Sequence, residues 1–343
     1  MKRVTFAVIP SDVAGPVIRG LMDRGMVDIH AKIGRDGGDR LVPILPEHLE
    51  EVRGMGYAMR EGEAHTLDRR PPQERIAVEL SDLPCRIPER WEFVGDVVIV
   101  RLDEGSWPYR ARIGEAVARV LGAKSVCADT AGVVGEFRRP TMEVIYGTDT
   151  ESVRLENGIR YGFDVTKVMF ASGNNAERMR MRELDCTGET VVDMFAGIGY
   201  FTLPLAKFSG ARRVFACEKN PDSYRFLVRN IRDNGVEDVV IPILGDNRDI
   251  AGKCFADRIL MGYVQTTADF LPAALRMIRP GGMIHYHDTF YVNEYMDRIR
   301  SIFDSAGCDY EIVSVREVKS FAPSVSHYVA DIRIGPSRPS SRQ

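Results

Sequence analysis

An α/β protein built around a doubly wound parallel sheet is predicted by three features of the chain. Val191-Val192-Asp193-Met194-Phe195-Ala196-Gly197-Ile198-Gly199 reads as an apolar strand running into an acidic residue and a glycine-rich turn, with a helix following over 200–208. One strand-helix unit later, Val214-Phe215-Ala216-Cys217 ends in Glu218. From 166 to 335, strand and helix patterns alternate, as a doubly wound sheet requires.

The elements follow in order. Residues 1–70 read as a small α/β module. It has a strand over 4–9 and a helix over 13–22 with Val17, Ile18 and Leu21 on one face. A glycine-rich turn over 32–40, an apolar segment over 41–45 and a second helix over 47–55 complete it. Asp68-Arg69-Arg70-Pro71-Pro72-Gln73 reads as a linker, because it is charged and proline-rich. Residues 73–165 read as an α+β domain on a mixed sheet. Its strands are expected over 94–100, 125–129, 142–146 and 153–163, with a helix over 109–121. In the third region, 166–335, strands are expected over 190–194, 213–217, 239–244, 258–261 and 282–287, closed by a late pair over 311–317 and 327–334. The Ser/Arg/Pro-rich tail over 336–343 is expected to be disordered.

The strand ends carry the chemistry. Glycines let backbone approach a ligand, and a helix N-terminus offers free N–H groups. An acid at the offset of Glu218 can accept hydrogen bonds from both hydroxyls of a ribose. A third strand ends in Gly245-Asp246-Asn247, well placed for an adenine edge. An ordinary buried strand and turn would explain any one of these ends, but not all three together, which describe an adenosyl pocket. Gly197-x-Gly199-x-x-Thr202 lacks the third glycine of a dinucleotide fingerprint. The acid-glycine-acid pattern instead resembles the class I S-adenosylmethionine-dependent transferases, whose fold is Rossmann-like. The cofactor expected from that resemblance is S-adenosyl-L-methionine.

Composition sets bounds. With 343 residues, two or three domains and a large core are expected. No apolar run is long enough to span a membrane, and the first residues do not read as a signal peptide, so a cytoplasmic protein without membrane partners is expected. The six cysteines form no CxxC pair; they read as reduced structural thiols, and no metal is expected. A net charge of −3 does not describe a general polyanion binder, although a local basic face can still bind nucleic acid.

Residues 164–178, from Asp164-Val165-Thr166-Lys167 through Met169-Phe170-Ala171-Ser172-Gly173-Asn174 to Arg178, resemble a tRNA-modifying family. It comprises the tRNA guanosine-37 methyltransferases and their paralogues, the wybutosine-pathway aminocarboxypropyltransferases. The likeness extends through Gly132 to Pro140, Glu156-Asn157-Gly158-Ile159 and Gly281 to His287. Lys32-Ile33-Gly34-Arg35-Asp36 resembles the N-terminal module of archaeal members, which in the family contacts the body of the tRNA. The methyltransferase branch carries an Asn-Leu/Pro-Pro type motif after the fourth strand, where this chain has Met261-Gly262-Tyr263-Val264. That branch also shows Ser-Pro-Arg where this chain has Ala171-Ser172-Gly173. Both features resemble the aminocarboxypropyl branch; guanosine-37 methylation is the alternative, and a non-catalytic tRNA-binding protein a third reading. One departure is Arg154, where both branches often place a His.

By resemblance the partner is tRNA, recognised at the anticodon loop of tRNA(Phe), and the protein acts as a monomer. The resemblance also implies the site. Asp193, Phe195, Ala196, Gly197, Gly199, Glu218, Asp246 and Asn247 hold the adenosyl half, and Ser172 and Arg178 hold the methionine carboxylate or the loop covering it. Glu177 matches the methyltransferase general base and Arg138 the arginine that steadies the target base. Lys167, Gly262 and Tyr263 contact the substrate. Each has a plainer role available: Asp246 as a helix cap, Glu177 as a helix-start carboxylate, Arg178 in an ion pair with Glu177 or Asp164, Lys167 as a solvated lysine. His285 and His287 share one face of a strand, where packing and a strand-end hydrogen bond are expected rather than a metal site. Trp91 and Trp107 are expected in core or hinge packing.

Overall fold

The computed structural model describes residues 1–335; the tail expected over 336–343 lies outside the described residues. By contacts the chain divides into two compact units, 1–78 and 79–343.

The first unit contains β1 (Lys2–Pro10), α1 (Ala14–Asp23), β2 (Gly34–Asp36), β3 (Asp39–Ile44), α2 (Leu49–Gly54) and β4 (Ala58–Ala64). Its antiparallel sheet runs β2-β3-β1-β4. Alternation along β1 sends Phe6 to one face, with Val4, and Ala7 and Ile9 to a core shared with Leu21, Val42 and Val52. The strands β2 and β4 carry too many polar residues to show in the hydropathy pattern, and the sequence reading passed over them.

A helix, α3 (Pro72–Glu79), begins inside the stretch expected to be a linker; Pro72 opens it where a missing N–H costs nothing. That helix closes the first unit, and the second begins with β5 (Trp91–Val94), β6 (Val97–Val100), α4 (Arg110–Leu121), β7 (Ser125–Val134), β8 (Arg139–Tyr146), β9 (Glu151–Glu156) and β10 (Ile159–Asp164). Strands β5-β6-β7-β8 form one sheet, with β6 and β7 parallel across α4. Two expected single strands are hairpins. The 94–100 run folds back at Gly95, with φ +55, where a side chain would meet Ser152 Oγ at 2.3 Å. The 153–163 run folds back at Asn157-Gly158, both left-handed, a strong hairpin signal set between two alternating apolar and polar segments.

The remainder is α5 (Asn175–Glu183), β11 (Thr190–Asp193), α6 (Thr202–Phe208), β12 (Arg213–Glu218), α7 (Pro221–Asp233), β13 (Val240–Leu244), β14 (Ala256–Met261), α8 (Leu271–Met277), β15 (Ile278–Tyr291), α9 (Tyr295–Ser305), β16 (Tyr310–Ala322) and β17 (Val325–Ile334). The seven-stranded sheet runs β13-β12-β11-β14-β15-β17-β16. The first five strands are parallel, and β17 returns antiparallel beside β15. This is the doubly wound sheet predicted, and its order reverses beside β11, where such sheets form a crevice at their carboxyl ends. All four β11 residues are buried, as a central parallel strand covered on both faces must be.

The β9–β10 hairpin is tied to the glycine turn after β11 by one side chain. Buried Asn230 of α7 accepts from the Gly162 N–H at 2.8 Å and donates to the Ile198 carbonyl at 3.0 Å.

Candidate functional site

A cavity of about 260 Å³ opens at the carboxyl ends of β11, β12, β13 and β14. Its first wall is the turn after β11. Gly197 and Gly199 have φ of +57 and +101, and added side chains would strike the Tyr200 ring and Leu203. The turn is held from below by Asp193, whose fully buried carboxylate accepts from the Thr202 hydroxyl at 2.7 Å and the Phe195 N–H at 3.2 Å. Burial pushes Asp193 up to about 6. Asp193, expected as a cofactor contact, does not line the cavity: it stands fully buried beneath the turn and braces it.

Glu218 stands at the end of β12. One oxygen accepts from the Gly197 N–H at 2.8 Å and the other from the Asn220 N–H at 2.7 Å, which aims the carboxylate into the cavity. Burial raises its pKa, offset by those N–H groups. After β13, Asp246 accepts from the Arg248 N–H, capping a short 3-10 turn, and pairs with Arg248 and Lys219, which hold it well below the usual carboxylate range. Asn247 donates to the Met194 carbonyl at 2.7 Å, and its buried Oδ1 has no partner among the described residues. An orphaned amide oxygen beside a carboxylate with free lone pairs is an arrangement that an adenosine can satisfy, its amino group as donor to the one and its ribose hydroxyls to the other. The stacked pair Phe195 and Tyr263, with Phe270 edge-on to Phe195 at 4.9 Å, supplies an apolar wall.

The opposite end holds Arg138, Arg178, Phe201, Gly262, His287, Lys319, Phe321 and His327. Gly262 is bare because Phe201 lies against it: a side chain there would sit 2.8 Å from the ring. Arg178 is buried and gives Nε and Nη2 to Glu156 and Nη1 to the Ala171 carbonyl at 2.9 Å. Its ion-pair partner is thus Glu156, rather than Glu177 or Asp164. Hydrogen bonding from Arg178 shapes the 171–172 backbone, while the Ser172 side chain does not line the cavity.

Glu177, expected at the reacting atoms, is buried behind the wall. Both its oxygens accept from Arg180, and His287 Nε2 stands 3.6 Å away. Nδ1 of His287 faces His327 Nε2 at 3.1 Å, and the His287 ring stacks on Phe201. Burial lowers both histidines, His327 to about 4, so both are neutral near pH 7. His285 belongs to a structural network with Asp331 and Arg258. Lys167 pairs with Asp164 at 3.1 Å, away from the cavity, and Ala196 and Gly199 shape the turn without lining it. Trp107 lies under the Arg110 guanidinium, and Trp91 borders a separate groove.

The fold therefore gathers Arg138, Arg178, Phe195, Gly197, Glu218, Asp246, Asn247, Gly262 and Tyr263 around one cavity. It leaves Lys167, Ser172, Glu177, Asp193, Ala196 and Gly199 outside the lining. Sequence reading named Glu156 only within the motif that carries the resemblance and missed Phe201, Lys319 and His327; of these three only Phe201, beside the glycine turn, had a local signal. Among the described residues no cluster of three or more His, Cys, Asp or Glu side chains is arranged for a metal, and no helix is long and apolar enough to cross a membrane. All six cysteines are free thiols.

Comparison with known proteins gives the same direction. Residues 152–313 match the TRM5/TYW2 methyltransferase domain and residues 75–150 the TYW2 N-terminal domain. The chain is 43% identical over 267 residues to the Pyrococcus horikoshii tRNA(Phe) (4-demethylwyosine(37)-C(7)) aminocarboxypropyltransferase, spanning 76% of this chain and 95% of that one. It is 34% identical over 339 residues to the Pyrococcus abyssi tRNA (guanine(37)-N(1))-methyltransferase Trm5b, spanning 96% of this chain and 99% of the other. Among solved structures, P. horikoshii TYW2 in complex with MeSAdo superposes with a TM-score of 0.68 at 40% identity, over 77% of this chain and 99% of that one. A class I fold with its adenosyl-type strand ends in place, and relatives of this similarity along nearly their whole length, make this chain a member of the TRM5/TYW2 family of tRNA-modifying transferases.

Proposed function

We propose that the protein transfers the 3-amino-3-carboxypropyl group of S-adenosylmethionine to C7 of 4-demethylwyosine at position 37 of tRNA(Phe). The observation that carries this reading is the wall at Gly262-Tyr263. It offers a bare backbone and an aromatic ring where the methylating branch presents a side-chain amide to guanine. The relative at 43% identity bears the aminocarboxypropyl name. A second reading, methylation of guanosine 37, is favoured by the match to Trm5b over 96% of the chain.

A sulfonium donor has three electrophilic carbons, and in-line geometry decides which one reacts. In the proposed reaction C7 of the base attacks the γ-carbon of the methionine chain. The γ-carbon–sulfur bond breaks, methylthioadenosine leaves as a neutral thioether, and the proton on C7 is lost. This chain's residues hold and orient. Glu218 takes the ribose hydroxyls, and Asp246 and Asn247 take the adenine edge. Phe195 and Gly197 close over the sugar. Arg138, unpaired by any acid among the described residues, steadies the target base together with Tyr263. His287 and His327 are the neutral bases lining the cavity that can take the C7 proton. Glu177 is held by Arg180 behind the cavity wall, 3.6 Å from His287 Nε2, rather than at the reacting atoms. The first 70 residues form a module for the body of the tRNA, 73–165 a middle domain and 166–335 the catalytic domain; the enzyme works as a cytoplasmic monomer.

The departing nucleoside tests the reading. Turnover with tRNA carrying 4-demethylwyosine should release methylthioadenosine, identified by chromatography and mass. Release of S-adenosylhomocysteine instead would show methyl transfer.

A further inference from the structure

The cavity is electrically graded. Glu218 and Asp246 stand at one end, and Lys219 at that end is already paired with Glu136 and with Asp246 at 3.4 Å. Three cations, Arg138, Arg178 and Lys319, converge at the other. Arg178 is satisfied by Glu156 and the Ala171 carbonyl. Arg138 projects from the β7–β8 turn and rests on Met169 Sδ at 3.9 Å. Lys319 is different. It is half-buried on β16, and among the described residues it makes no ion pair and no hydrogen bond. Its register partner on β17 is His327, whose neutral imidazole leaves the ammonium charge uncompensated. Its chain crosses the bare backbone of Gly173: a side chain at 173 would stand 3.2 Å from Lys319 Cδ and 3.5 Å from Nζ. A desolvated ammonium without an anion is unfavourable, and a Lys and an Arg that line a cavity with no acid paired to either await an anionic ligand.

We infer that Lys319 receives the α-carboxylate of the amino-acid chain of the donor, resting on the reading of the site above. The donor carries one carboxylate, at the end remote from its adenosine. The cavity's acids hold the adenosine end, which sends the carboxylate toward Arg138 and Lys319. Arg178 is a positioning residue: it holds the 171–172 backbone beside Gly173, over which Lys319 reaches. Pinning the carboxylate there fixes the direction of the methionine chain, and with it the carbon that faces the tRNA base. A phosphate of the tRNA is the competing anion, but Lys319 lines the cavity and is half-buried instead of standing on the open surface.

The test compares two nucleosides that differ in the amino-acid chain. Binding of S-adenosylhomocysteine, which carries the carboxylate, and of 5′-methylthioadenosine, which lacks it, is measured by calorimetry on the full chain and on Lys319→Met. Lys319→Met should weaken S-adenosylhomocysteine about ten- to hundredfold, the usual span for a charge-assisted hydrogen bond, and leave methylthioadenosine within about twofold. Retained methylthioadenosine binding also reports that the pocket is folded. Lys319→Arg should keep most of the affinity. Equal loss of both nucleosides, or loss of neither, overturns the assignment to Lys319 while leaving the donor reading intact. A loss seen only in tRNA retention assigns Lys319 to phosphate and likewise overturns it. If the unaltered protein binds neither nucleoside, the donor reading itself fails and this assignment with it.

Discussion

At the scale of single residues, the site shows how a strand-end acid can serve the fold rather than the ligand. Asp193 and Glu218 both end central strands, and the sequence reads them alike. Each oxygen of both acids accepts one hydrogen bond from the neighbouring chain, but Asp193 is fully buried beneath the turn, whereas Glu218 lines the cavity and has lone pairs left to face it. The difference has a pH signature. The folded-state pKa of Asp193, about 6, exceeds its ordinary value of 3.8, so the folded state binds the proton more tightly. Its contribution to stability is therefore present below about pH 4 and lost as pH rises to about 6. About two pH units correspond to roughly 3 kcal/mol. Asp193→Asn cannot ionise and keeps an acceptor for Thr202. Urea unfolding from pH 4 to 7 should show the variant losing less stability across that window than the parent chain. Parallel pH profiles would mean that Asp193 stays ionised in the folded protein.

At the scale of elements, glycines decide where helices and strands approach. Gly114 lies on the buried face of α4, and a side chain there would meet the Ile145 carbonyl oxygen on β8 at 2.7 Å. Helix propensity alone favours Ala over Gly by about 1 kcal/mol. Overpacking against fixed backbone costs about 1–3 kcal/mol, so it outweighs the propensity. Gly114→Ala should lower the urea midpoint without changing the slope; a raised midpoint would show that α4 moves away freely. The same balance explains what the sequence made legible. Strands β11 to β15 announce themselves through continuous apolar runs closed by an acid or a glycine, and the parallel sheet follows from their alternation with helices. The hairpins at Gly95 and Asn157-Gly158 were hidden because strand-like patterns on both sides of a tight turn read as one longer strand. In the site, residues on the strand-end turns were legible because they are neighbours in sequence. Lys319 and His327 were not, because the β16–β17 register brings them to the cavity, and Glu156 reaches Arg178 from the β9–β10 hairpin, which no local pattern encodes.

At the scale of the whole molecule, a net charge of −3 coexists with a cavity whose two ends have opposite sign. Recognition of an adenosyl donor and of an RNA base is thus a matter of local arrangement, to which overall charge is a poor guide. Relatives from both branches of the family match this chain, one named for aminocarboxypropyl transfer and the other for methyl transfer, and the two reactions differ in which carbon of the sulfonium meets the base. The most direct test uses S-adenosylmethionine labelled either in its methyl group or in its carboxyl carbon, each with unmodified tRNA and with tRNA carrying 4-demethylwyosine. Aminocarboxypropyl transfer requires carboxyl label to be retained on the modified tRNA and methyl label to appear on neither. Methyl label on the unmodified tRNA, with no carboxyl label on the other, would contradict it and place the chain with the guanosine-37 methyltransferases.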